Sequence, residues 1–176
     1  MLTTPGREAW AKQARHAFFA QTYENARIVE CAEALKIGTK RNYAIREADG
    51  AEIICHWDDD DIYHPERIAQ QVKLLQDHPE VDIVGYHSME FWNVETGARH
   101  LYVGREGYAI GVSLCYRRRA WEDRNFEPIN EGEDNQFQIG RRVLTIPANN
   151  MIVARIHNGN TSAKHPDRNP LQWVAA

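Results

Sequence analysis

Alternating helical and strand periodicities mark this chain as an α/β domain, with helices packed on a sheet rather than a bundle or a sandwich. Its 176 residues, 43% hydrophobic and 26% charged, suffice for one core, so residues 1–176 are expected to form a single domain. An apolar run, Ile53-Ile54-Cys55, passes through His56-Trp57 and breaks off into four consecutive carboxylates, Asp58 to Asp61. Open α/β sheets place ligands at the carboxyl ends of such strands.

The elements follow in order. From Glu8 to about Gln21, Trp10, Ala14, Ala17 and Phe18 recur at helical spacing and form one apolar stripe. Ala26 to Val29 reads as a short strand, and Ala44, Ile45 and Ala48 favour a helix opening after Gly38. The acidic strand begins at Ala51. Beyond the carboxylates, Pro65 suits the first turn of a helix whose face carries Ile68, Val72 and Leu75 until His78-Pro79 ends it. That helix leads to a strand over Val81 to Tyr86, and strand–helix–strand is a right-handed crossover when the two strands run parallel. Later strands are expected over Val112 to Tyr116, Val143 to Ile146 and Met151 to Ile156. The stretch from about Asn93 to Ala109 carries no readable signature.

Composition narrows the function. A net charge of −4 and a pI near 6.1 argue against a protein that grips nucleic acid through its phosphates. No stretch approaches the ~18 apolar residues of a membrane span, and the first residues lack a signal-peptide pattern. Cys31, Cys55 and Cys115 lie far apart without CxxC spacing, as buried reduced thiols do. Together these features predict a cytoplasmic protein with no integral membrane segment.

The four carboxylates need a cation. Neighbouring carboxylates repel by about 1 kcal/mol per pair at about 4 Å even with water-like screening, and by more where protein replaces water. Such a run is either a solvated acidic loop or a site for a hard divalent ion, Mg2+ or Mn2+, held by one or two carboxylates together with substrate phosphates.

Several separated motifs share one order: Gly38-Thr39-Lys40-Arg41-Asn42-Tyr43-Ala44, Ala48 to Ile54, Asp58 to Asp61, Pro65-Glu66-Arg67-Ile68, Gly111 to Arg118, Phe126, Glu133-Asp134 and His157. With Met1 to Arg7 as the end of a first strand and its turn, this order resembles the family 2 glycosyltransferases. The resemblance implies a GT-A-like, Rossmann-like fold with a mixed, mostly parallel sheet flanked by helices. It also implies an inverting, metal-dependent transfer of a sugar from a nucleoside-diphosphate sugar to a carbohydrate or other hydroxyl acceptor.

Roles follow from the same resemblance. An Asp-x-Asp pair, Asp58 and Asp60, with Asp61 beside it and the late His157, would hold Mn2+ or Mg2+. Thr4, Pro5, Arg7, Lys40, Arg41, Asn42, Asp58 and Asp59 would contact the nucleotide sugar. Asp134 would be the base that takes the acceptor's proton, although a first-turn acid of the following helix is an equal reading of the residues alone. Lys40 and Arg41 read equally as exposed helix-start cations, and His157 as a packing residue. His56 and His64 are expected to be structural.

The chain also departs from the family. Its first strand starts at Met1-Leu2, and the stretch Ile28 to Glu33 lacks the family's nucleobase-recognising aspartate, for which Glu30 or Glu33 would have to substitute. The connection onward to Gly38 is abbreviated. Two alternatives therefore stand beside the transferase: a catalytically weakened, glycosyltransferase-like binding module, and a metal-dependent phosphohydrolase. An exposed edge of a shortened sheet would favour homo-oligomers.

Overall fold

The stripe of small and aromatic residues near the start folds as α1 (Glu8–Phe19), burying Ala11 and Ala14 while Ala17 and Phe18 pack on the core. In this computed structural model residues 1–161 and 173–175 are described. Helix α2 (Ile37–Glu47) follows, then strand β1 (Ile53–Cys55), a two-residue strand β2 (Ile62–Tyr63) and helix α3 (Arg67–Asp77). Strand β3 (Ile83–Asn93) and strand β4 (Arg99–Val103) form a hairpin, and a 3-10 turn (Gly111–Ser113) leads into β5 (Cys115–Arg117). Helices α4 (Arg118–Asp123) and α5 (Glu133–Gln138) precede strands β6 (Val143–Pro147), β7 (Ile152–Ile156) and β8 (Trp173–Ala175).

Strand β3 organises the sheet. Its first half pairs antiparallel with β5 and parallel with β6, and its second half antiparallel with β4 and parallel with β7. Strand β5 lies antiparallel between β1 and β3, so β1 and β3 run in the same direction without touching. The sheet is mixed, as expected, but its parallel share is smaller: two of the seven described strand pairings are parallel. The reason is local. The β3–β4 hairpin and the insertion of β5 each contribute antiparallel partners that the crossover pattern did not reveal.

Helices cover both faces. On β5, adjacent side chains point to opposite sides; Cys115 packs with Leu75 of α3, while Tyr116 joins Ile45, Trp121, Phe126 and Phe137 beneath α2, α4 and α5. The larger core, with Trp57, Tyr63, Ile68, Val72, Tyr86 and Met89, lies against α1 and α3. No helix among the described residues is long and apolar enough to cross a membrane.

Several boundaries differ from expectation. Residues Ala26 to Val29 form no strand; the neighbouring Cys31 makes a single parallel bridge to Leu2, which also bridges Asp58. Val112 begins in the 3-10 turn, so β5 starts three residues later than expected. Pro65 sits two residues ahead of α3, whose first residue is Arg67.

Helix α2 is pinned to the loop that leads to α5. The Ile37 amide donates to Asn130 Oδ1 at 3.1 Å and the Gly38 amide to the Ile129 carbonyl at 3.0 Å. A Cβ on Gly38 would overlap the Glu127 carbonyl oxygen and lie 2.8 Å from its carbon. Backbone cannot step aside as a side chain tip can. Gly38→Ala is therefore expected to cost about 2–3 kcal/mol of stability, read as a fall of roughly 5–10 °C in Tm by calorimetry; an unchanged Tm would contradict this contact.

Candidate functional site

The acidic run is held in a rigid frame. Trp57 stacks on Tyr63 with ring centroids 3.8 Å apart and donates its indole N–H to the Ala14 carbonyl of α1 at 3.1 Å. The Tyr63 hydroxyl accepts from the Asp58 amide at 2.8 Å and lies 3.0 Å from the Asp58 carbonyl, to which it donates. Beneath it, the fully buried Arg67 donates to the His56 carbonyl at 2.6 Å and the Val112 carbonyl at 3.3 Å, with its guanidinium over the Trp57 and Tyr63 rings. Removing Arg67 would leave two strand-end carbonyls without a donor. His56 is structural as expected: its Nδ1 lies 2.7 Å from the Gly111 carbonyl, and burial first, then Arg41, holds its pKa well below the ordinary histidine value.

All four carboxylates line one cavity of about 270 Å³. Arg7 reaches in from the turn before α1, with Nη2 2.9 Å from Asp59 Oδ1 and 2.6 Å from Asp60 Oδ2. Asp60 Oδ2 also lies 3.0 Å from His157 Nε2 and 3.1 Å from the Asn160 amide nitrogen. Asp61 Oδ1 accepts the Arg155 amide of β7 at 3.0 Å. By contrast, Asp58 Oδ1 and Asp59 Oδ2 are buried without a hydrogen-bond partner. Burial raises the Asp59 pKa, with Asp60 and Asp58 adding to the rise and Thr3 and Arg7 opposing it.

The opposite wall belongs to α5. Glu133 is buried and accepts from Arg41 Nε at 3.1 Å, while Arg41 Nη1 lies 3.8 Å from Asp58 Oδ1. Burial opposes the Arg41 charge, yet Asp58 and Glu133 together hold its pKa above the ordinary value. Burial also raises Glu133, against the pull of Arg41. One guanidinium thus ties the acidic run to the helix that carries Asp134. Asp134 is half-buried in the first turn of α5, lines the same cavity and packs against Gly111, and its Oδ1 accepts the Asn135 amide at 2.9 Å.

The sequence-predicted residues divide accordingly. Thr4, Arg7, Lys40, Arg41, Asp58, Asp59, Asp60, Asp61 and Asp134 line the cavity. Lys40 does so with its ammonium committed to the Thr3 carbonyl at 2.6 Å, and burial lowers its pKa. Pro5 is exposed and does not line it. Asn42 is a correction of place: it is buried outside the cavity, its amide nitrogen donating to the Phe126 carbonyl and its oxygen accepting from the Trp121 indole and the Phe126 amide. Neither Glu30, which pairs with Arg15 at 2.8 Å, nor Glu33 reaches the cavity. Trp121 is likewise buried, bonded to Asn42 rather than open to a sugar.

His157 is oriented by two contacts. Its ring stacks on Trp10 with centroids 5.3 Å apart, and its Nδ1 accepts the Gly159 amide at 3.0 Å. Its Nε2 lies 3.0 Å from Asp60 Oδ2, with Asn160 Nδ2 at 3.3 Å and Arg7 Nη2 at 3.5 Å. The histidine therefore stands beside Asp60, among the groups gathered around that carboxylate. Trp10 and Asn160 are the site residues that sequence reasoning missed, while Glu133 stood in the Glu133-Asp134 motif without a role of its own; Asn160 follows His157 by three residues, and only the turn between them brings both to Asp60.

The donor set suits a hard cation. Among the described residues no three His, Cys, Asp or Glu side chains form a group spaced to hold a metal by themselves. Two carboxylates, Asp58 and Asp59, each with a buried oxygen that accepts no hydrogen bond, do line one cavity. That is the number Mg2+ commonly takes from protein when substrate phosphates supply the rest.

The family model for glycosyl transferase family 2 matches residues 4–142. The chain belongs to that family. The matched span contains the acidic run, Arg41 and Asp134, and ends before His157 and Asn160. Among solved structures, TarS of S. aureus is similar in fold, with a TM-score of 0.64 and 14% sequence identity over 88% of this chain and 36% of the TarS chain. The family 2 domain described here thus spans about a third of the length of that relative. No curated protein matches this sequence.

Proposed function

We propose that this family 2 domain is an inverting glycosyltransferase that moves a sugar from a nucleoside diphosphate to an acceptor hydroxyl with the help of Mn2+ or Mg2+. The observation that carries the reading is the single cavity whose one wall is the carboxylate run and whose other wall presents Asp134, with Arg41 linking the two. Asp58 and Asp59 would hold the cation through the oxygens that accept no hydrogen bond, with Asp60 as the hydrogen-bonded hub beside them. A divalent ion bound there offsets the charge that builds on the departing nucleoside diphosphate.

The remaining chemistry belongs to the chain. Asp134 accepts the proton of the acceptor hydroxyl as its oxygen attacks the anomeric carbon. The bond from that carbon to the diphosphate oxygen breaks, its electron pair leaves with the nucleoside diphosphate, and attack from the opposite side inverts the configuration. Arg7 and Arg41 present guanidinium groups, whose fork suits phosphate oxygens, to the same cavity.

Calorimetric titration with UDP and GDP, each with and without Mn2+, tests the reading. Metal-dependent binding of one nucleotide is expected, and Asp60→Ala should weaken it at least tenfold by dissolving the contacts that Arg7, His157 and Asn160 make to that carboxylate. Binding of neither nucleotide by the folded chain would favour the weakened relative. Release of inorganic phosphate from a nucleotide, with no sugar transferred, would favour the phosphohydrolase and overturn the transferase.

A further inference from the structure

Arg7 occupies the position where a cation would neutralise the acidic run. Its Nη2 touches Asp59 Oδ1 and Asp60 Oδ2 at once, with its side chain only 20% exposed. Burial works against its charge, but Asp60, Asp59 and Asp58 more than compensate, so its pKa lies above the ordinary arginine value. The engagement is one-sided. Arg7 Nε is buried without a hydrogen-bond partner, and Asp59, 2% exposed, keeps Oδ2 unpartnered and buried. A guanidinium fully committed to carboxylates would use both edges of its fork; here Nη2 meets both carboxylates while Nε has no hydrogen-bond partner.

We propose that Arg7 is the resident counter-ion of the carboxylate run and competes with the divalent cation for Asp59, so that the cation and a diphosphate bind cooperatively. The proposal rests on the metal-assisted reading above. A divalent ion at Asp58 and Asp59 and a guanidinium at Asp59 and Asp60 are like charges sharing one carboxylate, so each weakens the other's hold. A diphosphate arriving with the cation gives Arg7 another anionic partner within the same cavity, with oxygens matched to its fork. Metal alone must displace Arg7 into nothing better. Metal with diphosphate exchanges one Arg7 partner for another, and by linkage each ligand then raises the affinity for the other.

The test uses Mn2+ and inorganic pyrophosphate as probes on the whole chain and on Arg7→Gln, which is shorter and keeps polarity without charge. By calorimetry Arg7→Gln should bind Mn2+ alone at least tenfold more tightly than the unaltered chain. Pyrophosphate should then raise Mn2+ affinity less in the variant than in the unaltered chain. Equal or weaker Mn2+ binding by folded Arg7→Gln overturns the proposal while leaving the metal site intact. Failure of both chains to bind Mn2+, with or without pyrophosphate, overturns the metal site and this proposal together. Should Arg7→Gln fail to fold, nitrogen NMR of the arginine side chains in the unaltered chain decides the matter, with the Arg7 Nε signal assigned by its absence from the spectrum of Arg7→Lys. Mg2+ with pyrophosphate is expected to shift that signal; an unshifted signal under saturating ligand overturns the proposal.

Discussion

Asp134→Asn should lower turnover by about 10²- to 10⁴-fold, the usual share of a general base, and leave the metal-dependent affinity for nucleoside diphosphate within about twofold. The substitution keeps shape and first-turn position. Asparagine can still accept the Asn135 amide as Asp134 Oδ1 does now, so α5 should form as before. What it removes is the ability to take a proton. The nucleotide side should not feel the change, because Asp58 contacts Arg41, and Arg41 is held by Glu133 rather than by Asp134. Steady-state kinetics and nucleotide titration on the same preparation make the check. A fall in affinity as large as the fall in kcat would make Asp134 part of donor binding, and wild-type turnover would remove it from the mechanism.

What the sequence made legible was what depends on near neighbours. The carboxylate run stands out because four like charges in succession need an external reason. Helices α1, α2 and α3 follow from stripes spaced within a few residues. Strand β3 runs to Asn93 although expected only to Tyr86; the alternation continues through Met89 and Phe91, which are buried, with Ser88, Glu90 and Trp92 less so. Strand β4 is harder to see, because its exposed members include Leu101 and Val103 and leave no polar face to read. Apolar residues on an open strand erase the alternation on which the reading depends.

The site was legible in its charges and not in its partnerships. Asn42 sits in a motif next to two useful cations, yet its side chain serves Trp121 and Phe126, 79 and 84 residues away. Nothing local announces such a contact. Arg7 was expected at the nucleotide, and its direct contact with the carboxylates is a pairing that only the approach of the turn before α1 to the end of β1 creates. Trp10 counted toward the helix's apolar stripe, but it lies at the stripe's margin and stacks on His157. The aromatic residue therefore serves the site rather than the core.

Gly111→Ala should reduce kcat by roughly 10²-fold, the cost of misplacing a catalytic group by about 1 Å, with little loss of stability. Gly111 opens the 3-10 turn opposite α5, and its carbonyl is held by His56 Nδ1 at 2.7 Å, so the turn is anchored from below. Its backbone is not left-handed, and alanine is therefore allowed there conformationally. The obstacle is space: a Cβ would overlap Asp134 Oδ2 and lie 2.8 Å from its Cγ and 3.2 Å from its Cβ. Of the two sides of that clash, the anchored turn is the stiffer, so the half-buried carboxylate moves. Because the lesion acts through Asp134, the double variant with Asp134→Asn should be no slower than Asp134→Asn alone, a non-additivity expected of groups that act as a unit. Additive losses in the double variant would place the effect of Gly111 elsewhere, in the turn itself or in the carbonyls that Arg67 holds at His56 and Val112. Full activity in folded Gly111→Ala would mean that the carboxylate works from a position other than the one it takes over this glycine.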